Sequence, residues 1–151
     1  MSSLVWSEEL TVEIVAIDAE HRRIFELLKK LHDAIVRGST RNVMNSIVAD
    51  LLKTAELHFD NEEKLMKEHE YAGYETHKVE HEKIARDVRT LVAALAAGKL
   101  AGKPDITLLP VQWLYSHIKS HDKQYVSHCA HSQREEESQS PKQSLECEPV
   151  H

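Results

Sequence analysis

Residues 47–65 read IVADLLKTAELHFDNEEKL. Within them Ile47, Leu51, Ala55, His58, Glu62 and Leu65 recur at steps of four and three, the rhythm of one face of an amphipathic helix. That face carries a conflict. His58 and Glu62 stand where Leu or Ile would be expected, and burying such groups without partners costs several kcal/mol.

The rhythm continues in both directions. Upstream, Ile17, His21, Ile24, Leu28, Leu31 and Ile35 predict a helix over 17–36, broken by Gly38-Ser39-Thr40; the quoted helix then begins near Arg41 and ends before Tyr71-Ala72-Gly73. Downstream, His77, His81, Ile84, Val88, Leu91 and Leu95 predict a third helix over 75–97, stopped by Gly98. After the longest internal connection, which holds Gly102 and Pro104, a fourth helix begins near Pro110 and carries Val111, Leu114, Ile118, Asp122 and Tyr125. The expected fold class is all-α, an up-down-up-down four-helix bundle over residues 1–127. Residues 1 to about 12, with Trp6, read as an arm lying on the bundle. Residues 128–151, rich in Ser, Gln and Glu, read as a polar disordered tail.

The chain has 151 residues and a formal net charge of -6, with 19 Lys+Arg against 25 Asp+Glu. That sign argues against nucleic acid and against anionic membranes as partners. The N-terminus lacks a basic and then apolar leader, and no apolar run approaches a membrane span, so no membrane insertion and a cytoplasmic location are expected. Cys129 and Cys147, both near the C-terminus, do not form a disulfide or zinc pattern. The composition has one excess, 11 His.

Five polar residues sit on the predicted core faces: His21, His58, Glu62, His77 and His81. A single buried histidine is ordinarily a satisfied core residue. Two i,i+4 pairs, His58/Glu62 and His77/His81, stack on their helix faces and can converge from neighbouring helices. On the fourth helix, helical geometry pairs His117 with His121. Charge favours His117 with Asp122, since neutral imidazoles around divalent cations want more than one carboxylate. Asp122 lies about 140° from His117 on an ideal helix, which a local π-helical widening would reconcile.

These residues together resemble the hemerythrin family, in its single-domain bacterial form. The resemblance rests on Ile17-Asp18-Ala19-Glu20-His21, on His58-Phe59-Asp60-Asn61-Glu62-Glu63-Lys64-Leu65-Met66, on His77-x-x-x-His81, and on Trp113-Leu114-x-x-His117-Ile118-x-x-x-Asp122-x-x-Tyr125, with Trp6 in the arm. Glu20, where the family often has Gln, and the tail depart from the pattern. Neither is expected to touch a ligand.

The resemblance implies two iron ions with a bridging oxo or hydroxo group. His77, His81 and His117 would hold one iron, His21 and His58 the other, and Glu62 and Asp122 would bridge them. Counting donors, the first iron reaches six and the second five, which leaves one open position on the His21/His58 side. Ile24, Phe59, Trp113, Leu114 and Ile118 match the family's apolar lining of that position. The implied activity is reversible dioxygen binding for transport, storage or local delivery, by an oxygen-binding protein and not a catalyst. Dioxygen is then the partner, with an oxygen-consuming enzyme as candidate recipient. Two other readings compete: a di-iron enzyme acting on peroxide or nitric oxide, and an oxygen or redox sensor. The remaining histidines, His32, His69, His121, His128, His131 and His151, read as surface or tail residues, and Glu63 as part of a solvated face.

Overall fold

The structure, a computed structural model, describes residues 6–99, 108–129 and 131. Helices α1 (Val15–Val36), α2 (Arg41–Glu68), α3 (Tyr74–Ala96) and α4 (Leu108–His117) follow in order. A π-helical turn, Ile118–Asp122, continues α4, and residues 123–129 resume the α-helix. The predicted helices are all present with ends within about two residues of expectation. α1 packs on α2, α2 on α3, and α4 on both α1 and α3. Among the described residues no helix is long and apolar enough to cross a membrane.

Local chemistry explains the helix ends. Thr40 caps α2, its hydroxyl accepting from the Val43 N–H at 3.4 Å. α1 closes through Gly38 at φ +66°, with the Ser39 N–H donating to the Ala34 carbonyl, and α3 closes the same way through Gly98 at φ +71°. α2 uses the same closure with Glu70 at φ +51°, a side-chain-bearing residue in a conformation that costs about 1–2 kcal/mol. The tight turn brings Gly73 to the start of α3.

Two apolar clusters bracket the middle of the bundle at one end. Leu31, Ile35, Val48 and Leu95 pack at the far end, while Ile17, Ile24, Phe25, Leu28, Leu51, Leu114 and Ile118 pack nearer the polar centre. Met66, Tyr125 and Cys129 form a third cluster on the other side. The buried positions of α2 include Val48 and Met66, where the sequence pattern favoured Ile47 and Leu65, which are half-buried. A helix flanked by two neighbours buries a broad stripe, so the adjacent column is covered as well.

The arm is anchored. Leu10 and Val12 are buried in the larger cluster, and Asp18 Oδ1 accepts from the Val12 N–H at 2.8 Å. Trp6 meets Phe25 edge-on at 6.2 Å beneath the Arg22 guanidinium. After the π turn the helix continues to residue 129. Cys129, one helical turn after Tyr125, is buried, and His128 Nε2 donates to the His69 carbonyl at 2.9 Å. The cause is that the Ile118, Asp122, Tyr125 face continues to Cys129 and still has α2 to pack against. The disorder expected from residue 132 onward, with Cys147 and His151, lies outside the described residues.

Candidate metal centre

All seven predicted ligands meet in the bundle interior. His21 comes from α1, His58 and Glu62 from successive turns of α2, His77 and His81 from successive turns of α3, His117 from the end of α4 and Asp122 from the end of the π turn. None is more than 4% exposed. They fall into two groups whose ligand atoms lie within 4.8 Å of one another: Glu62, His77, His81, His117 and Asp122 in one, His21, His58, Glu62 and Asp122 in the other.

The two shared carboxylates each turn one oxygen to either group. Asp122 Oδ1 lies 2.9 Å from both His77 Nε2 and His117 Nε2, and Oδ2 lies 3.1 Å from His21 Nε2. Glu62 Oε2 lies 3.0 Å from His81 Nε2, and Oε1 lies 3.3 Å from His58 Nε2. Each carboxylate thus faces both groups of imidazoles.

Hydrogen bonding accounts for only part of this arrangement, at His81 Nε2, which lies 3.0 Å from Glu62 Oε2 and 3.1 Å from His117 Nε2. Among the described residues, His21 Nε2, His58 Nε2, His77 Nε2 and both Asp122 oxygens are buried without an aligned hydrogen-bond partner, despite these short approaches. Buried polar atoms are ordinarily paired. Here they converge on common points without pairing, as donors to a metal cation do. Imidazole nitrogen with carboxylate oxygen suits a divalent transition metal, so the residues present fit such an ion.

The π turn resolves the competition between His121 and Asp122. By widening the helix over Ile118–Asp122 it brings Asp122 onto the face of His117. His121 is left half-buried beside the cluster, its ring stacked on that of His117 with centroids 5.3 Å apart.

Protonation in the absence of a cation follows from the same geometry. Burial pushes the His58 imidazole down, but the Glu62 carboxylate and the Glu20 contact outweigh it and raise its pKa to about 10. For His77 burial is likewise overcome, by Asp122 and Glu62, and the pKa rises to about 9. Burial favours the neutral form of both carboxylates, yet the surrounding imidazoles hold Glu62 and Asp122 well below the usual range. Burial and the two nearby carboxylates push the Tyr125 phenol far up, so it stays a donor, giving its O–H to Glu62 Oε1 at 3.1 Å.

Two acidic residues stand closer to the ligands than the sequence suggested. Glu20 Oε2 lies 2.6 Å from His58 Nδ1, and Asn61 Nδ2 donates to the other Glu20 oxygen at 2.9 Å. Glu63, expected on a solvated face, places Oε1 3.0 Å from His81 Nδ1. Both contacts cross between helices, and no period within one helix signals them.

Of the five predicted lining residues, Ile24, Phe59, Trp113 and Leu114 border an apolar cavity of about 40 Å³. It meets the cluster at His117. Ile118 does not line it and packs in the adjoining core. On the other side of Trp113 and His117 a polar cleft of about 130 Å³ is lined by Glu80, Lys83, Asp87, Ser116 and His121.

Comparison with known proteins gives a consistent result. The model of the family described as hemerythrin HHE cation binding domain matches residues 12–129. The chain is 33% identical over 135 residues to a bacteriohemerythrin of Pseudomonas aeruginosa, covering 89% of this chain and 87% of that one. It is 30% identical over 126 residues to the bacteriohemerythrin of Methylococcus capsulatus, covering 83% and 95%. A solved wild-type hemerythrin structure superposes with a TM-score of 0.76 at 28% identity, over 85% of this chain and 99% of the other.

Proposed function

The chain belongs to the hemerythrin family, and on that premise we propose that it binds dioxygen reversibly at a non-haem di-iron centre, for transport, storage or local delivery. His77, His81 and His117 would hold one iron, His21 and His58 the other, and Glu62 and Asp122 both. Ferrous iron held there would supply the reversible electron transfer that dioxygen binding requires.

The observation that carries this reading is the asymmetry of the donors. Three histidines serve one half of the centre and two the other, with the same two carboxylates shared. Metal ions held there would find one protein donor fewer on the His21/His58 half, and a small neutral molecule could take that place. The chain's residues keep the exchange reversible in three ways. Glu62 and Asp122 offset the ions' charge inside the core, and Tyr125 fixes Glu62 in its bridging orientation. Where the cavity meets the cluster at His117, the walls given by Ile24, Phe59 and Leu114 offer no hydrogen-bond partners to water in a space of about 40 Å³, large enough for a diatomic molecule. The five imidazoles stabilise ferrous iron better than the Glu-x-x-His sets of carboxylate-rich di-iron oxidases would; the one Glu-x-x-His here is Glu148 to His151, outside the described residues.

The test is stoichiometric. Anaerobic titration of the metal-free protein with ferrous iron is expected to saturate at two per chain, and subsequent oxygen uptake at one dioxygen per chain, with no sustained consumption of hydrogen peroxide or nitric oxide. Saturation at one iron, or steady peroxide turnover, overturns the reading.

A further inference from the structure

Five imidazoles face the centre with Nε2, but they are not supported alike behind the ring. The Nδ1 atoms of His21, His77 and His117 are buried without a hydrogen-bond partner among the described residues. His58 and His81 are the exceptions, each backed by a carboxylate at Nδ1: Glu20 at 2.6 Å and Glu63 at 3.0 Å. His58 belongs to the two-histidine group and His81 to the three-histidine group. Each half of the centre thus has one carboxylate-backed histidine, and the two carboxylates come from different helices.

We propose that Glu20 and Glu63 are separate positioning residues for the two halves of the centre, each setting the metal affinity and the electron-donating strength of its own half. The proposal rests on the di-iron reading above. An acceptor at Nδ1 holds the proton there and frees Nε2 for the metal, and a carboxylate in that place makes the ring a stronger donor. Its negative charge also favours the more oxidised ion. The two differ in mounting. Glu20 is clamped, one oxygen on His58 and the other receiving Asn61, on the half with fewer nitrogens. Both side chains are only about a fifth exposed, at 23% and 20%, so water screens them weakly. Glu20 therefore supports the donor-poor half, and its loss weakens that half more than the loss of Glu63 weakens the other.

The experiment uses the full chain and cobalt(II) alone, titrated under argon against a competing chelator and followed by the metal's visible bands. The unaltered protein is expected to take two ions. Glu20→Ala should weaken one of the two by about 10–100-fold and spare the other, and Glu63→Ala should do the same to the opposite ion. The double variant then has two weakened sites. Glu20→Gln keeps an acceptor for His58 without the charge, so it should recover affinity while raising the reduction potential of the iron-loaded protein, a readout that a merely structural role would not move. The proposal is overturned if the double variant keeps one tight site, since both carboxylates would then serve the same ion. It is equally overturned if no variant changes affinity, or if Glu20→Gln leaves the potential where it was. Failure of the unaltered chain to take two ions would remove the di-iron reading and this proposal together, whereas two tight sites insensitive to all three changes would remove this proposal alone.

Discussion

His117 Nε2 and Asp122 Oδ1 lie 2.9 Å apart across a π-helical turn, although five positions in sequence would set them on divergent faces of an ideal helix. The turn gives up regular α-helical hydrogen bonding over Ile118–Asp122 and in exchange delivers a second carboxylate to a cluster of five imidazoles. Without it the cluster would hold Glu62 alone. The register that His117 would otherwise share goes to His121, which ends beside the centre and not in it.

His121→Ala is therefore expected to leave iron content at the level of the unaltered protein, whereas Asp122→Ala should lower it below two per chain. Iron analysis of the two purified variants after anaerobic loading checks this. Equal loss in both would mean that His121 is a ligand.

Tyr125 is fully buried and gives its hydroxyl to Glu62. Tyr125→Phe removes a hydrogen bond to a charged acceptor, a change worth about 1.5–3 kcal/mol. Denaturant unfolding of the metal-free protein should show a loss of that order with the helical content of the folded state unchanged. An unaltered midpoint would show that the phenol does not hold the carboxylate.

The pH dependence of the metal-free protein follows from His58 and His77. Their folded-state pKa values, about 10 and about 9, lie above the ordinary 6.5, so the native state binds protons more tightly than the unfolded one. Their contribution is complete below about pH 6.5 and is lost as the pH rises through 9 and 10. Metal-free stability should accordingly fall between pH 7 and 10, by on the order of a few kcal/mol, in denaturation series at successive pH values. Iron binding has the opposite sign, because the ion must displace those protons, and its apparent affinity should rise over the same window. A metal-free protein that gains stability toward pH 10 would contradict the assignment.

Ala55 lines the apolar cavity beside Phe59 and Leu114. Ala55→Leu adds three carbons to a space of about 40 Å³ and should slow oxygen uptake by the ferrous protein in stopped-flow measurements, with metal content preserved. Overpacking is expected to cost about 1–3 kcal/mol. An unchanged uptake rate would show that the cavity is not on the ligand's route.

The helices and the candidate ligands were legible in the sequence for the same reason: both depend on spacing along one element. His58/Glu62 and His77/His81 announce themselves as polar pairs on apolar stripes, and Gly38 and Gly98 mark where α1 and α3 stop. What crosses between elements was not legible. Glu20 reaches His58 over 38 positions and Glu63 reaches His81 over 18, and both look like ordinary surface acids within their own helices. The π turn lies between these cases. Its need was visible in the spacing of His117 and Asp122, but no residue pattern within Ile118–Asp122 announces its presence. The burial of Cys129 was not legible either, because a lone cysteine in polar surroundings carries little signal until Met66 and Tyr125 are seen against it.

The central claim, reversible dioxygen binding, is tested most directly by cycling. The ferrous protein is exposed to oxygen, purged with argon and exposed again, while the ligand-to-iron charge-transfer absorption is followed. The account predicts a band that appears and disappears with undiminished amplitude over repeated cycles, the iron returning to the ferrous state each time. A single exposure that converts the iron irreversibly to the ferric state with release of hydrogen peroxide would contradict it.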